Sequence, residues 1–76
     1  MTYIIVIKDR NMYKEIFSSA SFDENLNKCE ELSKDFDIIY RAKRLDASKV
    51  LLEHKYKGSA SYAMNKQVLC PQKESL

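Results

Sequence analysis

Residues Ser21 to Phe36, SFDENLNKCEELSKDF, carry a start signal, a period and a stop, and the rest of the chain has to fold against what they make. Phe22, Leu26, Cys29, Leu32 and Phe36 are spaced four, three, three and four apart, which puts them on one stripe of an α-helix. Ser21 followed by Glu24 has the form of a capping box: the hydroxyl accepts from an orphan amide while the carboxylate reaches back to the Ser21 N–H. A helix with one apolar stripe needs one apolar surface to cover it, so a second layer must be built from the remaining residues.

That layer reads as a sheet. Residues 2–8, TYIIVIK, are β-branched or aromatic almost throughout, and their lack of alternation predicts a central strand covered on both faces. Residues 12–19, MYKEIFSS, return as the second strand of a hairpin across Asp9-Arg10-Asn11. The link is a two-residue turn or a three-residue loop with Asn11 left-handed. After the helix, residues 38–45 predict a strand with Ile38, Tyr40 and Ala42 on one face and Ile39, Arg41 and Lys43 on the other. Asp46, Ala47 and Ser48 supply turn chemistry. Residues 49–57 then alternate Val50, Leu52, His54 and Tyr56 against Leu51, Glu53, Lys55 and Lys57, which favours a fourth strand. The rival is a helix capped by Asp46 and stopped by Gly58.

These elements give a small α+β domain of ββαββ form: an antiparallel four-stranded sheet of order 2-1-3-4 with one helix packed on one face. The domain covers residues 1–58. Residues 59–76 read as an extension, with a short helix within 59–69 and a frayed end over 71–76. The order keeps the doubly apolar first strand inside the sheet and the crossover right-handed. Under the helix, the expected inner face is Tyr40, Ala42, Val50, Leu52 and Tyr56. The outer face then holds Ile39, Arg41 and Lys43 beside Leu51, Glu53, Lys55 and Lys57. Apolar residues ringed by basic ones on an open sheet call for a cover: the segment after Gly58, a second copy in a homodimer, or a partner.

A chain of 76 residues has room for one core. Its formal charge of +2 is too small to imply a nucleic-acid or membrane partner by itself, but the charge is unevenly placed. Residues 22–36 hold Asp23, Glu24, Glu30, Glu31 and Asp35 against Lys28 and Lys34; residues 38–57 hold Arg41, Lys43, Arg44, Lys49, Lys55 and Lys57 against Asp46 and Glu53. Two cysteines, Cys29 and Cys70, make no disulfide scaffold and fit a reducing interior. Residues 3–7 are too short an apolar run for a membrane span and lack the basic start and cleavage site of a signal peptide. The expectation is a soluble cytoplasmic protein without a membrane partner.

Catalytic groups are scarce. His54 is the single histidine, and its alternation with apolar neighbours reads as the rim of a core. Cys29 lies on the helix stripe as a small apolar residue, and Cys29, His54 and Cys70 lack the close pairs that preorganise zinc. Glu30 and Glu31 are adjacent on the helix and point about 100° apart. One glycine excludes the phosphate-cradling loops of nucleotide sites. The sequence therefore predicts no enzyme, no cofactor and no metal.

What is left is a binding face. Ile39, Arg41, Lys43, Leu51, Lys55 and Lys57 are the predicted partner-binding residues, with Ile39 and Leu51 as a dry centre and the basic residues meeting an acidic protein surface. The leading expectation is a non-enzymatic protein that inhibits or adapts a larger assembly by protein contact. Its size is that of many phage- or mobile-element-encoded inhibitors. The alternative is a weak nucleic-acid binder using Arg41, Lys43, Lys55 and Lys57, against which Tyr40 and Tyr56 are expected to alternate to the helix side. The bland reading of the same lysines is that they keep an open sheet soluble and discourage edge pairing.

Overall fold

The computed structural model describes residues 1–71. Five strands and one helix follow in the order β1 (Tyr3–Asp9), β2 (Met12–Ser19), α1 (Phe22–Leu32), β3 (Ile38–Arg44), β4 (Lys49–Lys57) and β5 (Ala60–Leu69). They form one antiparallel sheet of order β2-β1-β3-β4-β5. The α+β class and the order of the first four strands are as expected. The fifth strand is a correction: residues 60–69 form no helix but extend the sheet beyond β4. The turn responsible is Gly58-Ser59, with Lys57 opposite Ala60 and Gly58 at φ +60°, the conformation that glycine adopts without penalty. The boundary expected at residue 58 thus falls inside a hairpin. The frayed end expected over 71–76 lies, apart from Pro71, outside the described residues.

Local chemistry explains most of the element ends. The β1–β2 link is the two-residue turn, Asp9 facing Met12, and Arg10 rather than Asn11 carries the positive φ of 60°. Ser21 caps α1, its hydroxyl accepting from the Glu24 amide at 3.2 Å. The second half of the expected capping box is not formed, because the Ser21 amide donates instead to the Ser19 hydroxyl at 3.0 Å. The helix ends at Leu32 with Ser33 as its C-cap, a turn short of the expected Phe36.

Two cores lie on opposite faces of the sheet. Ile5, Cys29 and Ile39 are buried together under the helix, with Ile7, Ile16, Phe17, Leu32 and Tyr56 packed around them. Ile4, Val6, Tyr40, Ala42, Val50, Leu52 and Cys70 are buried on the other face, with Tyr13, Ile38, Met64 and Val68 around them. The expected assignment of faces is therefore reversed for most of its members. Tyr40, Ala42, Val50 and Leu52 do share a buried face, but it is the one the helix does not touch; only Tyr56 is on the helix side. β1 and β3 are apolar on both faces, so alternation alone does not say which side the helix takes.

Among the described residues no second helix covers the other core. The sheet curls instead, so that side chains of both edge strands, Tyr13 from β2 and Met64 and Val68 from β5, close over it. Arg44 fastens the curl. Its side chain, 11% exposed, pairs with Glu15 of β2, 9% exposed, at 2.5 Å. It also donates to the carbonyls of Ala47 at 3.1 Å and Cys70 at 3.2 Å. One guanidinium thus joins β2, the β3–β4 turn and the end of β5, and the Cys70 amide adds a 2.6 Å bond to the Ser48 carbonyl.

Two predictions follow from this packing. Arg44→Ala leaves the Glu15 carboxylate buried and unpaired, and should lower the unfolding free energy by about 3 kcal/mol or more. The double variant Glu15→Leu with Arg44→Met should recover most of that loss, as read from urea midpoints of the three proteins. The second concerns Cys29, 1% exposed, whose thiol is pushed up from 9.0 to about 11 by burial against the partial opposition of the Arg41 charge. The unfolded chain then gives up this proton at a lower pH than the folded one. Stability should fall as pH rises from about 9 towards 11, by roughly 2 to 3 kcal/mol from this group. Burial also raises Cys70, in the same direction. Denaturation curves across this range should show a shallower fall in Cys29→Ala.

Candidate functional site

The helix spans only part of its face: it packs on β1, β2 and β3 and leaves β4 and β5 open. Where β3 runs out from under it, the six predicted binding residues separate into three groups. Ile39 is fully buried beneath α1, and Arg41 is 7% exposed, so neither belongs to an open surface. Lys43 and Leu51, opposite each other across β3 and β4, lie half-buried on the uncovered part of that face. Lys55 and Lys57 are on the other side of the sheet.

The physical cause is a β-bulge. Arg41 faces His54 and Ala42 faces Leu52, so Glu53 is one residue too many in β4. Up to Leu52 the alternation is as the sequence suggests. Beyond Glu53 it is inverted: His54 and Tyr56 turn to the helix side, opposite Arg41 and Ile39, while Lys55 and Lys57 turn to the side of Tyr40 and Ile38. A period-two reading cannot register such an insertion, because one extra residue sends every later side chain to the opposite face.

The same bulge accounts for the burial of a charged residue. Glu53 and His54 both project beside Arg41. The guanidinium donates to Glu53 at 3.3 Å and to the His54 Nδ1 at 2.9 Å, and lies 5.0 Å over the Phe22 ring at the start of the helix. A guanidinium only donates, so the Nδ1 accepts and the ring proton sits on Nε2. Glu53 also pairs with Lys43 at 3.3 Å. Arg41 is thereby neutralised, stacked and placed under the helix as a structural cation. Its Nε and both side-chain polar atoms of Asn25, which is fully buried on α1, find no partner among the described residues. Asn25 is one turn from Phe22 and from Cys29, both of which Arg41 adjoins, so the underside of the helix carries a polar seam where the sequence stripe predicted Leu26.

On the open half of this face the register assembles a patch that the sequence signalled only in part. Leu69 stands opposite Lys49, and Leu51 stands between Lys43 and Gln67. Leu45 joins them at the strand ends, its amide bonded to the Lys49 carbonyl at 2.8 Å. Leu45 is 51% and Leu69 68% exposed. Three leucines rimmed by Lys43, Lys49 and the Glu53 carboxylate thus occupy the region next to the helix. Leu69 was out of reach while residues 59–69 read as helix; the turn signal Gly58-Ser59 followed by alternating Tyr62, Met64 and Val68 was available and would have found it.

Cys29 and Cys70 are buried on opposite sides of the sheet, and Cys29 lies in a separate core from Cys70. Among the described residues no three His, Cys, Asp or Glu side chains are placed to hold a metal ion. An open cleft between the end of α1 and the β4–β5 turn, lined by residues 33–38 and 57–59, brings Lys34, Asp35, Asp37 and Lys57 to its walls together with Ser33 and Ser59. No helix among these residues is long and apolar enough to cross a membrane. No protein-family model matches the chain, and no curated protein and no solved structure is significantly similar to it.

Proposed function

We propose that this is a non-enzymatic binding protein that works by protein contact, inhibiting or adapting a larger assembly through the part of the helix-side face that α1 leaves open over β4 and β5. The observation that carries this reading is the leucine patch of Leu45, Leu51 and Leu69 on the half of the sheet that α1 leaves open. Apolar side chains clustered inside a polar rim have the composition of a contact centre, and the rim lysines suit an acidic surface on the partner. Two free, buried thiols fit a reducing compartment such as the cytoplasm, and the small size suits an inhibitor of the kind phages and mobile elements encode.

Leu45→Asp with Leu69→Asp changes two exposed residues and should leave the fold intact, as checked by circular dichroism and thermal melting. Capture from the native host with wild type and with this variant should show a partner lost on substitution. Lys43→Glu with Lys49→Glu should slow association and reduce its salt dependence more than it speeds dissociation. Sedimentation of the isolated chain distinguishes the other occupant: if a second copy fills the patch, wild type runs as a dimer and the Leu45→Asp, Leu69→Asp variant as a monomer.

A further inference from the structure

The bulge that removes Lys55 and Lys57 from the leucine patch delivers them to a different place. On the face opposite the helix, Lys55 lies between Tyr40 of β3 and Tyr62 of β5, and Lys57 lies between Ile38 and Ala60. Lys8 stands opposite Tyr13 on the same side, two residues along β1 from Val6, with its ammonium 5.8 Å from the Tyr13 ring centroid. Lys66, opposite Leu52, extends the set along β5. Lysines and tyrosines that the period-two reading places on opposite faces are therefore interleaved on one.

Three features of this surface go together. First, none of these four lysines forms an ion pair among the described residues. Second, the one carboxylate whose register places it on this face, that of Glu15, is held by Arg44. Third, the rings differ in availability. Tyr40 is 7% exposed and braced edge-to-face against half-buried Tyr13 at 5.6 Å, whereas Tyr62 is 53% exposed at the sheet edge. The result is a rigid aromatic base with one ring free to stack, surrounded by uncompensated positive charge. Backbone-tracking cations together with an exposed ring on a sheet are the two elements of sequence-tolerant single-strand recognition. A duplex offers phosphates but no free base faces.

We propose that this face binds single-stranded nucleic acid, with Lys8, Lys55, Lys57 and Lys66 on successive phosphates and the exposed Tyr62 ring stacked on a base. The site is on the opposite side of the sheet from the leucine patch and is independent of the protein-contact reading. DNA and RNA share the chemistry invoked, so both are used as probes.

The test is fluorescence anisotropy of the full chain with labelled oligothymidine and oligouridine of about 15 nucleotides. Binding is expected to weaken with salt, log K falling against log salt with a slope of about −2 to −3 for three or four neutralised phosphates on a single strand. Lys8→Glu with Lys57→Glu, both exposed, should reduce affinity at least tenfold and flatten the slope. Tyr62→Ala should reduce it about fivefold or more at unchanged slope, with Tyr62→Phe restoring binding. Leu45→Asp with Leu69→Asp should leave it unchanged. The proposal is overturned if neither oligonucleotide binds at low salt. It is equally overturned if heparin or a duplex binds as well and Tyr62→Ala is indistinguishable from wild type, since the surface would then be a general polyanion patch. A protein partner lost on the Lys8→Glu, Lys57→Glu substitution, with no oligonucleotide bound by wild type, would make this face a protein contact instead.

Discussion

A sheet whose central strands are apolar on both sides has two faces to keep from water, and this chain has one helix with which to do it. Ile4 and Val6 look one way and Ile5 the other, and Ile39 and Tyr40 divide in the same manner across β3. The helix closes the side of Ile5 and Ile39. On the other side the sheet itself must curl until its edges approach, and this explains why the ten residues of β5 are not dispensable: without β5, Val50 and Leu52 would lie near an edge with nothing beside them. The Arg44 guanidinium holds the closed form because it is the group that reaches both sides of the seam at once. A buried ion pair of this kind is poor evidence of large net stability, yet it ties the two edges together, since Arg44 meets both Glu15 and the Cys70 carbonyl.

Much of this architecture was legible in the residues. The helix announced itself through Ser21 and its spaced apolar positions, and the doubly apolar β1 required a central place in the sheet, which fixed the order of four strands. Two things were not legible, for different reasons. β5 was hidden because its sequence, ASYAMNKQVL, puts a lysine and an alanine among its alternating positions, and because it is an edge strand with much of its surface in water, so its apolar signal is weak. The faces were hidden because β1 and β3 are apolar on both sides and because, beyond Leu52, a bulge leaves no mark in composition. Glu53 reads as one more outward residue of a regular strand, and only its pairing shows that the ladder skips it.

The charged residues teach a related lesson. Arg41 and Lys43 occupy alternate positions of one strand and look equivalent in the sequence, but the helix ends its cover between them. Arg41 is enclosed by Phe22, Glu53 and His54, so its charge is compensated and its plane stacked, whereas Lys43 keeps one partner and 32% of its side-chain exposure. The guanidinium suits the enclosed position because its planar fork can meet a carboxylate and a ring nitrogen together while lying flat on an aromatic ring. A basic residue near a predicted binding face is thus weak evidence of binding until the cover over it is known.

The bulge also determines what the two sides of the molecule can do. Had β4 run in regular register, Glu53, Lys55 and Lys57 would stand together on the helix side, and the carboxylate would pair with one of the lysines next to it. His54 would then face the other way and leave Arg41 with a carboxylate alone. With the insertion, Glu53 is committed to Arg41 and Lys43, and the lysines pass to a face where the register supplies tyrosines and no free carboxylate. One extra residue therefore separates an apolar patch, whose rim holds the paired Lys43 and Glu53, from Lys55 and Lys57 on a basic, aromatic face, back to back across a single sheet. The separation is structural rather than compositional: the same residues in the same order, without the kink, would blend the two into one mixed surface with neither character.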